Sequence, residues 1–299
     1  MSSWAALLIL LTLFLPACAA TSQPFQYTSA SSLAGKDKRE DQENKLKSLS
    51  LEELLARGNQ YLAGGNSKLA QVHFQMAVKK NGASAAAYSG LGESLALDGE
   101  KQAAHQLLTK ALAIDDKHRQ ALIATGKLYR SEKNHGQAEA YFNRARESYP
   151  ADPEILTELA ITYGYLGQEE KAETILHQVV ALKPQDSAAL NNLGFNYLVR
   201  NKYTEAVQTL QMALTLEPGN NRIQDNLAAA YAMLNKSQKA FDLFSQSQGE
   251  AAAYNNLGYF YMIQGLKDPA KYALEKALVL NPRHYVRAKE NLRRLESDL

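Results

Sequence analysis

The chain has 299 residues, of which 45% are hydrophobic and 21% are charged, as in a soluble folded protein. Its 17 glycines and 8 prolines are too few for a collagen-like or low-complexity chain. The net charge of +2 argues against a general nucleic-acid binder, and the single cysteine, Cys18, excludes an intrachain disulfide framework and a cysteine-cluster metal site.

Residues 1–17 have the pattern of a secretion signal. Ala5–Leu15 is an apolar run of 11 residues. A membrane-spanning helix needs about 20 residues, so this run fits the apolar core of a signal peptide instead. The run ends in Leu15-Pro16-Ala17-Cys18, which resembles the lipobox of bacterial lipoproteins. In that family the signal is cleaved before the cysteine, which then carries the acyl chains.

The lipobox resemblance therefore implies lipid attachment at Cys18. The alternative is an ordinary cleaved signal with an incidental cysteine. Residue 19 is alanine and not the aspartate associated with inner-membrane retention, so the resemblance implies an outer-membrane protein that faces the periplasm. Residues 18–50 are predicted to be the lipidated cysteine and a flexible tether, because they are polar and lack a sustained apolar period.

Residues 51–284 contain seven copies of one pattern with a period of 34 residues, the sixth copy being four residues shorter. Position 8 of each copy is Gly or Ala, and small residues there and at position 20 predict two closely packed helices per copy. Tyr or Leu at position 11 and Phe or Leu at position 24 are expected to fill the space beside that contact. Position 20 is always alanine: Ala70, Ala104, Ala138, Ala172, Ala206, Ala240 and Ala270.

This pattern resembles the tetratricopeptide repeat, whose period is also 34 residues. The resemblance implies an all-α fold, a right-handed superhelical solenoid of seven repeats over 51–284. Residues 285–299 are predicted to form a C-terminal capping helix with an apolar side and a basic, solvated side. Ser50 and Glu53 have the spacing of a capping box, which predicts a helix start at residue 51.

The sequence contains no motif that indicates catalysis. There is no Gly-rich phosphate loop, no His-Glu-x-x-His and no Gly-x-Ser-x-Gly. The six histidines are scattered without metal-ligand spacing. We therefore expect a non-enzymatic protein with no cofactor, no metal, no small-molecule substrate and no nucleic-acid partner.

In the tetratricopeptide family, partners bind in the groove lined by the first helix of each repeat. The groove positions here carry few cations, Lys127 and Arg222, which argues against a clamp for a terminal carboxylate and predicts little salt dependence. Amides and aromatic residues concentrate in repeats five to seven and suit the backbone of a peptide. The alternative is that the asparagines at position 6 only tie neighbouring repeats together. The predicted peptide-binding residues are Asn191, Asn192, Phe195, Asn226, Asn255, Asn256 and Tyr259.

The lipobox, the polar tether, the repeats and the Asn-Asn-Leu-Gly modules at 191–194 and 255–258 together resemble the TadD family of lipoproteins from the Tad (Flp) pilus machinery. This resemblance implies a pilotin-like assembly factor for an outer-membrane secretin, with the secretin or other pilus assembly proteins as partners. Two alternatives stay open. One is a pilotin of ordinary type IV pili, and the other is an envelope adaptor that gathers peptidoglycan hydrolases.

Overall fold

The computed structural model describes residues 46–281 and 286–297, so Cys18, the signal segment and most of the predicted tether lie outside the described residues. A helical turn at 46–48 precedes fifteen α-helices, and the described residues contain no strand. The helices are α1 Leu51–Ala63, α2 Ser67–Lys80, α3 Ala85–Leu97, α4 Lys101–Ile114, α5 Arg119–Ser131, α6 His135–Ser148, α7 Pro153–Tyr165, α8 Glu169–Leu182, α9 Ser187–Val199, α10 Tyr203–Leu216, α11 Asn221–Met233, α12 Ser237–Gln248, α13 Glu250–Ile263, α14 Lys267–Leu280 and α15 Val286–Ser297.

The helix boundaries follow local chemistry. The predicted capping box is confirmed: Ser50 Oγ accepts a hydrogen bond from the Glu53 amide at 3.1 Å, and the Glu53 carboxylate accepts one from the Ser50 amide at 2.7 Å. In every repeat, the residue at position 15 ends the turn between the two helices and has a left-handed backbone conformation. This conformation was not predicted from the sequence. Four of these residues are glycines, and the others are Lys133, Asn201 and Asn235.

The predicted close contact between positions 8 and 20 is present: a Cβ added at Gly92 or at Gly258 would lie 3.3 Å from the backbone oxygen of Ala104 or of Ala270, respectively. All seven alanines at position 20 are buried. The glycine at position 8 also faces the large residue at position 24. A Cβ added at Gly194 would lie 2.5 Å from Leu210 Cγ, and one at Gly126 would lie 2.6 Å from Phe142 Cζ. The large side chain therefore lies directly against the glycine and not beside the contact.

The described chain divides into two compact units, the described parts of Pro16–Leu166 and Gly167–Leu299. The N-terminal unit contains α1–α7 and the C-terminal unit contains α8–α15. In the N-terminal unit the first helices α1, α3, α5 and α7 contact one another in succession, and so do α9, α11, α13 and α15 in the C-terminal unit. Among the described residues, the second helices show no comparable series of contacts with one another. The first helices therefore form the closely packed layer of each unit.

The short sixth repeat affects both a helix and a linker. Helix α12 has 12 residues, whereas α10 and α14 each have 14. A single residue, Gly249, connects α12 to α13 with φ of +88°, a conformation that residues with a side chain rarely adopt. The missing four residues therefore come from the end of the second helix and from the following loop.

Candidate peptide-binding surface

The seven predicted peptide-binding residues all lie on α9, α11 and α13, the first helices of repeats five to seven. They are not equally accessible. Asn191 and Asn255 are buried, each with only 6% of its surface exposed. The other five are partly buried: Asn192, Phe195, Asn226, Asn256 and Tyr259.

The buried asparagines connect neighbouring first helices. Asn226 Nδ2 on α11 donates a hydrogen bond to Asn191 Oδ1 on α9 at 2.8 Å. Asn291 Nδ2 on α15 donates in the same way to Asn255 Oδ1 on α13 at 3.4 Å. Position 5 of one first helix is thus paired with the asparagine of the next. The alternative interpretation, in which the asparagines at position 6 tie neighbouring repeats together, agrees with the hydrogen bond of Asn226, and the position-5 residues Asn191 and Asn255 are the acceptors of such bonds.

Among the described residues, the equivalent hydrogen bond is missing between α11 and α13. Asp225 occupies position 5 on α11, and its carboxylate accepts a hydrogen bond from Ser247 Oγ near the end of the shortened α12. Burial raises the pKa of Asp225 above its ordinary value. The corresponding amide on α13, Asn256 Nδ2, is buried and has no hydrogen-bond partner among the described residues. The shortened sixth repeat therefore coincides with a missing helix-to-helix hydrogen bond.

The remaining residues form what we call the amide–aromatic surface, defined as Asn192, Phe195, Asn226, Asn256 and Tyr259. The Tyr259 ring meets the Phe260 ring edge-on, with 6.0 Å between their centroids. Burial raises the pKa of the Tyr259 hydroxyl, and the charge of Arg294 acts in the opposite direction. The surface combines groups that donate and accept hydrogen bonds with two partly covered aromatic rings, which suits the main chain of a peptide.

Three of the six tyrosines at position 11 lie inside the repeats, whereas Tyr61, Tyr129 and Tyr261 are only partly buried. Tyr163, Tyr197 and Tyr231 are buried. The Tyr197 hydroxyl lies 3.0 Å from His177 Nε2, and the Tyr231 hydroxyl accepts a hydrogen bond from Gln211 Nε2 at 2.9 Å. These residues are packing residues, as the sequence analysis expected.

The first helices of the N-terminal unit present ion pairs instead of neutral amides. Arg119 donates to both carboxylate oxygens of Asp152, at 2.6 and 2.9 Å. Lys127 lies 3.0 Å from Glu154 Oε1 and 3.3 Å from Glu158 Oε1. The hydrogen bond from Arg119 lowers the pKa of Asp152. Lys127, one of the two cations predicted in the groove, is thus already paired within its own unit.

No group of histidine, cysteine, aspartate and glutamate side chains within 46–281 and 286–297 is arranged to hold a metal ion. No helix in the same residues combines the length and apolarity needed to cross a membrane.

Three family models match the sequence. The model of the middle TPR-like domain of cilia and flagella-associated protein 70 matches residues 53–183. Two tetratricopeptide-repeat models match residues 157–221 and 251–284. The chain is a tetratricopeptide-repeat protein. The fold predicted from the sequence is confirmed, and tetratricopeptide repeats form scaffolds for protein–protein interaction.

Solved structures share this fold at low sequence identity. A tetratricopeptide-repeat protein from Parabacteroides merdae is 21% identical with a TM-score of 0.57, covering 82% of this chain and 98% of that one. Cut9-Hcn1 of the APC/C is 19% identical with a TM-score of 0.59, covering 84% and 53%. Pseudomonas aeruginosa pilF is 18% identical with a TM-score of 0.52, covering 84% and 98%. No curated protein matches the sequence significantly.

Proposed function

We propose that this tetratricopeptide-repeat protein is a lipid-anchored scaffold that binds a segment of a protein partner on its amide–aromatic surface. The observation that carries the proposal is the contrast between the two units. The charged side chains of α5 and α7 in the N-terminal unit are paired with each other. The surface of α9, α11 and α13 is neutral and offers amide groups and aromatic rings to a partner.

The binding mode follows from the exposed groups. An extended peptide has unpaired N–H and C=O groups along its length, and asparagine side chains can satisfy both kinds. Phe195 and Tyr259 are only partly covered, so an apolar side chain of the partner can complete their burial. Because Asn191 and Asn255 are buried braces, they hold the helices in register and leave recognition to Asn192, Phe195 and Tyr259.

We further propose that the partner is the outer-membrane secretin of a Tad (Flp) pilus and that the chain acts as a pilotin-like assembly factor. Support comes from the lipobox at Cys18 and from the resemblance to the TadD family. The Asn-Asn-Leu-Gly module has a structural basis at 191–194: Asn191 braces α11, Leu193 is buried, and Gly194 makes room for Leu210. Asn192 is the module residue that packing leaves on the surface.

The test is capture of the secretin by the full-length chain. We expect the Asn192→Asp, Tyr259→Ala double variant to lose most of the secretin, because it removes an amide donor, adds a negative charge and deletes an aromatic contact. The matched control is Gln208→Glu, Tyr272→Ala, which makes the same kinds of change at exposed positions on the second helices α10 and α14.

Three outcomes would contradict the proposal. Equal capture by the double variant and the parent, both shown to be folded by circular dichroism, would exclude the amide–aromatic surface. Recovery of a type IV pilus secretin would support the ordinary pilotin alternative. Recovery of a peptidoglycan hydrolase in place of any secretin would support the envelope-adaptor alternative.

A further inference from the structure

Helix α15 extends the layer of first helices in the C-terminal unit, although the sequence analysis expected only a cap. It packs against both α13 and α14, as a first helix does in the repeats before it. Ala288 on α15 is fully buried, like Ala253 on α13. Asn291 on α15 bonds to Asn255, in the same way as Asn226 bonds to Asn191. The partner surface therefore has a fourth helix.

The side of α15 that continues this surface carries arginine. Arg287, Asn291 and Arg294 are spaced by four and three residues, so they lie on one side of the helix. Asn291 fixes the direction of that side, because it is bonded to Asn255 of α13. Tyr259 lies one turn after Asn255 on α13, and Arg294 lies one turn after Asn291 on α15, so the hydrogen bond between the two asparagines places Arg294 next to the aromatic part of the surface.

The charge along the four helices is uneven. Helix α9 has no charged side chain, α11 has one of each sign, and α13 has only Glu250. Helix α15 has four basic side chains and two acidic ones. Arg294 pairs with Glu290 of the same helix, but both are about half exposed, and exposed pairs of this kind are weak. Breaking the pair with Glu290 therefore costs little free energy, and Arg294 can pair with an acidic side chain of a partner instead.

We propose that α15 binds acidic side chains of the partner segment whose neutral part lies on α9, α11 and α13. This inference rests on the proposed function and specifies the chemistry of the partner: an extended segment with a neutral, partly apolar stretch followed or preceded by aspartate or glutamate. The groove residues predicted from the sequence contain few cations, and α15 adds Arg294 to them. Binding should therefore weaken with salt in proportion to the contacts on α15.

A protein segment fits these observations better than an anionic membrane surface does. Arg294 continues a surface of amide groups and aromatic rings that suits the main chain and apolar side chains of a peptide, whereas anionic lipid headgroups would use only its positive charge. Arg293 directly precedes Arg294 but lies on another side of α15, away from Asn291. That difference supplies a control, since Arg293 and Arg294 carry the same charge on neighbouring residues.

The experiment measures binding of fluorescent peptides to the full-length chain by anisotropy. The probes are blocked peptides with a leucine–serine half and a glutamate half, in both orders, and their counterparts with glutamine in place of glutamate. We expect Arg294→Gln to weaken binding of the better acidic peptide by about threefold to tenfold. Arg293→Gln should change it little, and the glutamine peptides should not distinguish the two variants.

Each other outcome has a defined meaning. Equal binding of glutamate and glutamine peptides, both lost in the Asn192→Asp, Tyr259→Ala variant, would overturn the role of α15 while leaving the proposed function intact. Equal losses of peptide affinity in Arg293→Gln and Arg294→Gln would overturn a direct contact with Arg294 and would indicate that only the overall positive charge of α15 attracts the peptide. No binding of the acidic peptides by the folded chain would also overturn the proposal. So would phosphatidylglycerol vesicles that bind the chain through both arginines and displace the peptide.

Discussion

At the scale of single residues, the repeats depend on glycines that touch a large side chain. A Cβ at Gly194 would lie 2.5 Å from Leu210 Cγ, inside the distance at which carbon atoms repel. Leu210 is fully buried, so it has little room to move away. Gly136 on α6 is different, because nothing lies within 4 Å of the position its Cβ would take.

We therefore expect one substitution to have opposite effects at these two glycines. Gly194→Ala should lower the free energy of unfolding by about 1–3 kcal/mol through overpacking. Gly136→Ala should raise it by about 0.5–1 kcal/mol, since alanine is the better helix former. Urea denaturation followed by circular dichroism measures both. A loss of the same size at both glycines would show that the contact with Leu210 is not the cause.

The same scale shows what a single sequence can predict about a site. The buried alanines at position 20 were predictable, because a small residue in a fixed register has one physical explanation. The asparagines were not, because an amide at a groove position can face a partner or a neighbouring helix. Only the hydrogen bond from Asn226 to Asn191, between residues 35 apart in sequence, assigns Asn191 to bracing.

At the scale of helices, the contact between α8 and α9 contains a buried carboxyl group. Glu169, in the first turn of α8, is 6% exposed, and Asn196 Nδ2 on α9 donates to its Oε2 at 3.1 Å. Burial, with a smaller contribution from Glu170, raises the pKa of Glu169 from its ordinary 4.5 to about 7, and Arg200 opposes the shift. The carboxyl group is therefore protonated in the folded chain at pH values where the unfolded chain has released the proton.

This difference predicts how stability depends on pH. Between pH 4.5 and 7 the folded chain holds a proton that the unfolded chain does not, so the contribution of Glu169 to stability falls as pH rises and is lost above about 7. Glu169→Gln is neutral throughout and should remove that fall. Above pH 7 it should be more stable than the parent by on the order of 2 kcal/mol.

Thermal melts of the parent and of Glu169→Gln from pH 5 to 8 measure the effect. Glu205→Gln is the matched control, because it makes the same change at an exposed position and Glu205 does not contribute to the pKa shift of Glu169. A parent and a Glu169→Gln variant with parallel pH profiles would show that the carboxyl group is ionised in the folded chain.

Helix α15 shows where prediction from sequence stopped at this scale. Its apolar side and its basic side were predictable from spacing, and Ala288 and Leu295 are indeed buried. Its role as a further first helix was not, because residues 285–299 lack the glycine or alanine that position 8 of every repeat carries. The hydrogen bond of Asn291 to Asn255 identifies it as a further first helix.

At the scale of the whole molecule, the repeats are predicted to bind a partner, and the N-terminal segment is predicted to direct secretion and lipid attachment. The described residues form two units, each with its own buried residues. Cys18 lies outside the described residues. The repeat fold could be predicted from the sequence because the pattern recurs seven times. The partner could not, because the proposed amide–aromatic surface is formed by residues on several helices, whose arrangement one sequence does not give.

The last prediction concerns the anchor. Cys18→Ser should abolish labelling by a radioactive fatty acid and move the protein from the outer membrane to the soluble periplasm, because serine provides no thiol for acylation. Ala19→Asp should keep the label and shift the protein to the inner membrane, since the lipobox resemblance makes residue 19 the sorting position. Both variants should melt at the temperature of the parent, because residues 18 and 19 precede the repeats by more than 30 residues. Density-gradient fractionation of labelled cells separates inner-membrane, outer-membrane and soluble proteins, and so distinguishes these locations. Unchanged labelling of Cys18→Ser would refute Cys18 as the acylated residue, and a parent protein that takes up no label would refute the lipid anchor altogether.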